Sequence, residues 1–310
     1  MIEKRKAKKI DKEISLLGFG GWQLGNVEFW GEMDFESGVS LVKEAVKKGV
    51  NFIDTAPGYG NGNSERIIGE AIKDCRDKIF VNTKFGHSDE GTNFSEEVME
   101  TKIRESAKRL QTDYIDSVIL HNPPHYILAG RSNHSKEFNR LKEIGLINYF
   151  GVSIDTLQDL DLVLTNLDVD VIEIMFNIVH QEVSELFDKA MERGIMLVIK
   201  VPLDSGWLTG KYDGNSKFTG IRSRWNNEAI LPRAEIVRDI KNIVNDEKLV
   251  KYALSFIASF DAVTTIIPGV KNSMQLASNI EAVSYKLDNK IRNDLIQLYN
   301  NKIKNMFTPW

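Results

Sequence analysis

Asp54, Tyr59, Lys84 and His121 are the residues whose types could do chemistry together, and each follows a short apolar run, in FIDTAPGYG, IFVNTKFG and SVILHNPP. A free phenol is a poor acid at neutral pH, with a reference pKa of about 10. A cation beside it lowers that value, a carboxylate holds the cation in place, and an imidazole can orient the group that takes the proton. Brought to one point, these four side chains suggest proton-coupled carbonyl chemistry. Singly, each has a plain explanation: a turn cap, a loop aromatic, a solvated strand-end charge, a polar residue before two prolines. Their recurrence at successive strand ends is what points to a site.

The elements that must bring them together are read from periodicity. Short β-branched runs alternate with longer amphipathic stretches, the order expected of repeated βα units with a parallel sheet. Strands are predicted at residues 15–19, 50–54, 79–83, 114–120, 149–153, 171–175, 196–200 and 262–267. No linker or composition shift divides the 310 residues, and the Gly-x-Gly-x-x-Gly of a doubly wound dinucleotide fold is absent after the first strand, where the chain reads LGFGGWQLGN. The predicted fold class is therefore α/β, a (β/α)8 TIM barrel, as one domain over 1–310 with a long loop around 202–227 and C-terminal helices. A barrel builds its site from the loops at the carboxyl ends of the strands. Asp54, Lys84, His121, Ser153, Glu173 and Lys200 all fall at such ends.

Composition excludes several classes. With 42% hydrophobic and 27% charged residues the chain can bury a sizeable core, and no apolar run is long enough to span a bilayer. A net charge of −4 gives no pull on nucleic-acid backbones, so neither nucleic acid nor a membrane is expected as a partner. The start MIEKRKAKK lacks a signal peptide's apolar core, and the single Cys75 cannot form an internal disulfide, so cytoplasm is the expected compartment. Two motifs fail on context. His121 and His125 have a metal-like spacing, but two prolines intervene and no third ligand is evident, and GYGNGN lacks the Lys-Ser/Thr ending of a P-loop. No metal is expected.

Nearly the whole chain, from Leu16 to about Ala282, resembles the aldo-keto reductase family. GVNFIDTAPGYGNGNSERIIGEAIK is similar to its second-strand signature, NTKFG to its lysine strand, DYIDSVILHNPP to its histidine strand, and IIPGVKNSMQLASNIEA to its cofactor-binding segment. The resemblance implies an NADPH-dependent carbonyl reductase, with NADH as the other possible cofactor. It makes Tyr59 the general acid, Lys84 the cation that lowers its pKa, Asp54 the partner of Lys84, and His121 the group that orients the carbonyl.

By the same resemblance, Ser153 and Glu173 meet the nicotinamide carboxamide, although Ile154 stands where an Asn is usual and Glu173 where a Gln is. Lys200 stands where many members stack an aromatic on the ring, so either another ring, such as Trp207, covers the nicotinamide or Lys200 makes a polar contact to the ligand. Leu203, Ser205, Gly206 and Leu208 resemble the loop over the pyrophosphate. Gly269 and the following helix start receive phosphate, Lys271 takes the 2′-phosphate, and Gln275 and Asn279 contact the adenine end. Trp22, Trp30 and Asn122 face the substrate, with Phe85 and Trp225 as further apolar walls. Arg222 and Arg224 suit a polar carbonyl such as a sugar or nucleotide-linked ketosugar. Two alternatives stand beside this reading: a Schiff-base lyase using Lys84 or Lys200, and a non-catalytic NADPH-binding regulatory subunit. Physiological substrate, reaction direction and oligomeric state are left open by the sequence.

Overall fold

Eight parallel strands follow one another around a barrel in chain order: β1 (Phe19–Gly20), β2 (Phe52–Asp54), β3 (Phe80–Phe85), β4 (Ile115–His121), β5 (Ile147–Ile154), β6 (Val171–Met175), β7 (Met196–Lys200) and β8 (Val263–Ile266). The structure is a computed structural model and describes residues 2–31, 33–306 and 308. Bridges from Leu17 to Ile266 and from Gly20 to Gly269 join the two ends of the sheet. All eight strands lie where the periodicity puts them, with ends displaced by a few residues. The largest difference is at the first. Ser15 belongs to a short antiparallel pair, Lys4–Arg5 with Ile14–Ser15, while β1 proper begins at Phe19. That pair closes the floor, where the Arg5 guanidinium donates to the carbonyls of Ala258, Phe260 and Val263.

The pleat of a strand sends alternate side chains to the same face, and this sets the vertical order of the barrel interior. Phe52, Phe80, Ile119, Val171 and Val198 fill the lower interior against Ala7, Ile10 and Ile14. Two residues on along the same strands stand Asp54, Asn82, His121, Glu173 and Lys200, and Lys84 follows Asn82 by two more. An apolar floor under a polar mouth is thus written in the period of two. Cross-strand register holds the mouth level: Asp54 pairs with Asn82, His121 with Ser153, and Ser153 with Glu173.

Outside the sheet lie the helices α1 (Phe35–Lys47), α2 (Asn63–Ile72), α3 (Met99–Arg109), α4 (His134–Glu143), α5 (Leu157–Asn166), α6 (Phe187–Glu192), α7 (Asn227–Val244), α8 (Val250–Ala258), α9 (Ser273–Ser284) and α10 (Asn289–Asn301). The apolar faces of these helices and the outer faces of the strands form the larger core. The long segment before α7 is not structureless. It carries short 3-10 turns at Asp204–Thr209 and Gly220–Arg224, and is held from beneath by packed rings of Trp207, Tyr212, Phe218 and Trp225. A buried ion pair, Arg233 Nε to Asp204 Oδ2 at 3.0 Å, pins its first turn to α7.

Candidate active site

Lys84 is the centre of the mouth. Its ammonium is buried and lies 2.5 Å from Asp54 Oδ1 and 3.3 Å from Glu173 Oε2, and it donates to the Thr55 carbonyl at 3.1 Å. Asn82 supports Asp54 from the same side, its Nδ2 donating to Oδ1 at 2.8 Å, and is itself oriented by Ser117. The Tyr59 ring centroid lies 5.1 Å from Lys84 Nζ, and the His121 ring meets Tyr59 edge-on at 6.3 Å. Strand ends from β2, β3 and β4 and the loop after β2 therefore bring the four sequence-predicted groups together. The loop comes in close because Gly60 is a glycine: at φ 56° a Cβ there would sit 2.5 Å from the Gly25 carbonyl oxygen. This contact also seats the Gly21–Gln23 turn, which carries Trp22, against the tyrosine, with ring centroids 6.2 Å apart.

Two carboxylates share one buried ammonium here. Burial opposes the charge on Lys84, but Asp54 and Glu173 outweigh it and hold the amine well above its ordinary pKa. Burial and the charge of Glu173 together outweigh Lys84 at Asp54, and push its carboxyl up to about 8. Glu173 is held below the usual carboxylate range, since Lys84 and Lys200 overcome its burial. The tyrosine departs from expectation. Burial raises the Tyr59 phenol above its ordinary value, and the two carboxylates add to that, so the downward pull of Lys84 is real but does not win. Tyr59 thus holds its proton throughout the neutral range, as a donor must before it acts.

His121 is kept neutral, well below its usual range, by burial and by the nearby Lys84, Lys200 and His87, and its Nδ1 is buried without a hydrogen-bond partner. The unfolded chain takes up a proton on this histidine below about pH 6.5 and the folded chain does not, so its contribution to stability is lost as pH falls through that value. Replacing His121 by Gln is expected to flatten the pH dependence of the denaturation midpoint between about pH 5 and about pH 6.5. An unchanged slope in a urea titration would remove this assignment.

Lys200, at the end of β7, donates to Asn122 Oδ1 at 3.0 Å and to Ser153 Oγ at 2.8 Å, and forms an ion pair with Asp155 Oδ1 at 3.0 Å. Ser153 in turn donates to Glu173 Oε1 at 2.9 Å. Lys200 is thus tied to polar groups of the protein itself. Trp207 is fully buried under the long loop, and Trp225 is buried in the same ring cluster. Phe85 is buried too, edge-on to Phe94. His125 pairs with Asp159 at 3.0 Å, away from His121.

Further round the mouth, Asp204, Ser205 and Gly206 all have positive φ, which turns the backbone of Leu203–Leu208 outward as a ledge. Opposite it, Gly269 approaches so near to Gln23 that a Cβ would overlap its amide. Lys271 Nζ donates to the Trp30 carbonyl at 2.5 Å and sits over the Trp30 ring, while the Arg222 guanidinium lies 4.8 Å from the same ring and donates to the Ser205 carbonyl. Gln275 accepts from the Lys271 backbone N–H, and the Asn272 side chain caps α9. Asn279 is buried with its Nδ2 unpartnered. Sequence reading missed Gln23, His87 and Asp155. His87 stands on a small hairpin over the site, its ring edge-on to His121 at 5.2 Å. Its only sequence signal is adjacency to NTKFG.

A sequence model of the Aldo/keto reductase family matches residues 16–299 of the chain. Among curated relatives, the chain is 27% identical to the NADH-specific methylglyoxal reductase of Escherichia coli (strain K12), over 89% of this chain and 92% of that one. It is 28% identical to a probable voltage-gated potassium channel subunit beta of Arabidopsis thaliana, over 87% and 88% of the two chains. Among solved structures, the aldo-keto reductase AKR11C1 from Bacillus halodurans in its holo form superposes with a TM-score of 0.81 at 26% identity, covering 96% of each chain. The barrel, its strand-end groups and these matches agree: the chain belongs to the aldo/keto reductase family and is an NAD(P)H-dependent oxidoreductase.

Proposed function

We propose that the chain reduces an aldehyde or ketone to an alcohol with NADPH as its preferred nucleotide, and that Tyr59 supplies the proton. The observation that carries this reading is the ammonium of Lys84 set between Asp54 and Glu173, under Tyr59 and beside a neutral His121. When bound, the reduced nicotinamide supplies the hydride. Tyr59 then gives its O–H proton to the oxygen as negative charge develops there. Lys84 stabilises the phenolate left behind, which is where its opposition to burial matters most. Neutral His121 orients the carbonyl through a ring nitrogen, and Trp22 and Trp30, edge-on to each other, enclose it.

A dinucleotide fits the groups present. Unpartnered buried atoms at Gln23, His121 and Asn279 are open to its polar edges, the Leu203–Leu208 ledge offers close backbone approach, and α9 presents its N-terminus to phosphate. The preference for NADPH rests on Lys271. Burial lowers its pKa, and the nearby cations Arg222 and Lys211 lower it further. A phosphate dianion relieves that crowding. Lys271→Ala is expected to weaken NADPH about tenfold, as a charge-assisted hydrogen bond would, and to leave NADH nearly unchanged. Equal losses for the two nucleotides would argue against a 2′-phosphate contact.

The polar rim of Asn122, Asp155 and His87 favours small hydroxylated carbonyl compounds, including sugars, over greasy aldehydes. Loss of reduced-nicotinamide absorbance with a panel of both classes tests this, and faster turnover of long-chain aldehydes would reverse it. The imine-forming alternative loses support on geometry. Lys84 is held protonated, so it lacks the lone pair that attacks a carbonyl, and Lys200 is engaged by two hydrogen bonds and an ion pair with Asp155.

A further inference from the structure

The charges of the mouth do not balance. Asp54 from β2, Glu173 from β6 and Asp155 after β5 face two ammoniums, Lys84 from β3 and Lys200 from β7. Tyr59 keeps its proton, and His121 and the hairpin's His87 both have depressed pKa values, so among the described residues no other cation is in direct contact with the cluster. Asp155 is half-exposed and takes Lys200 as its direct partner, whereas Lys200 reaches Glu173 only through the Ser153 hydroxyl. Deep in the barrel, Asp54 and Glu173 have Lys84 as their direct ion-pair partner, at 2.5 and 3.3 Å, all three nearly without solvent, while Lys200 acts on Glu173 from farther off. An uncompensated buried carboxylate is costly, and the pair relieves the cost by sharing one proton.

Resting on the reading above, in which the nicotinamide carboxamide lies at Ser153 and Glu173, we propose that this missing positive charge makes the site select the oxidised, cationic nicotinamide over the reduced, neutral one, with one proton leaving the Asp54–Glu173 pair for solvent as the cation enters. The reduced ring brings no charge and leaves the proton in place. Glu173 is thereby a determinant of which redox form the protein holds, and with Gln at this position the inner charges would already balance. The upward shift of Asp54, to about 8, places the shared proton on the pair at neutral pH.

Isothermal titration calorimetry of NADP+ and NADPH, each in two buffers of different ionisation heat near pH 7, counts the protons exchanged on binding. The 2′-phosphate is common to both and cancels in the difference. Wild-type protein is expected to release close to one more proton with NADP+ than with NADPH, and its NADP+ affinity to rise about tenfold per pH unit below the titration of the pair. In Glu173→Gln both effects are expected to vanish. Infrared spectra of the free wild-type protein should independently show a protonated carboxyl band that fades through about pH 8. Equal proton counts for the two nucleotides in the wild type, or a difference that survives in Glu173→Gln, would overturn the proposal while leaving the reductase reading intact. Failure of both nucleotides to bind would overturn the two together.

Discussion

Replacing Tyr59 by Phe is expected to lower kcat by about 10² to 10⁴, the usual contribution of a positioned general acid, while nucleotide affinity stays within a few-fold. Only the hydroxyl is removed. The ring keeps its contacts with Trp22 and His121, and the Lys84 ammonium keeps Asp54 and Glu173. The split between kcat and nucleotide binding is what separates loss of the proton donor from general disturbance of the mouth. Steady-state kinetics with one responsive carbonyl, alongside a binding titration of the same variant, measures both. A Phe variant with near wild-type turnover would take Tyr59 out of the mechanism.

Lys84→Met is expected to have the largest combined effect. Removing the ammonium leaves two buried carboxylates facing each other, and breaking a buried ion pair in this way costs about 3–5 kcal/mol. The loss has a definite pH sign. Without the cation both carboxyls have folded pKa values raised above their unfolded values of about 4, so the folded form binds protons that the unfolded form has released, and stability falls as pH rises. Urea midpoints should therefore separate further from wild type at about pH 9 than at about pH 6. Adding Glu173→Gln removes one of the two opposed charges and should recover part of the stability without restoring turnover. A single variant as stable as wild type at both pH values would mean that the triad is not buried as described.

How much of this was legible beforehand follows from which interactions are local. The barrel was legible because a buried parallel strand declares itself by a β-branched run, and a polar residue at its end is placed inward by the period of two. Asp54, Lys84, His121, Glu173 and Lys200 all obey that rule. Strand ends were less so: Ser15 looks like part of the first strand, and only the antiparallel partner Lys4 draws it into the hairpin. The burial of Trp207 and Trp225 was not legible because loop composition does not say which face of a loop is buried, and four packed rings decide that instead. Tyr59's acidity was misjudged for a related reason. The sequence supplies the nearby cation but not the depth of burial, which here outweighs it. Gln23, His87 and Asp155 act through tertiary placement, and adjacency of His87 to NTKFG is the one local sign of it.

The central claim is that this mouth holds a reduced nicotinamide nucleotide over Tyr59 and Lys84, and tryptophan fluorescence tests it directly. Trp22 and Trp30 flank the proposed substrate and phosphate positions, so NADPH should quench their emission saturably with micromolar affinity, NADH more weakly, and Lys271→Ala should remove most of the difference. Absence of a saturable change with either nucleotide would contradict the account at its root.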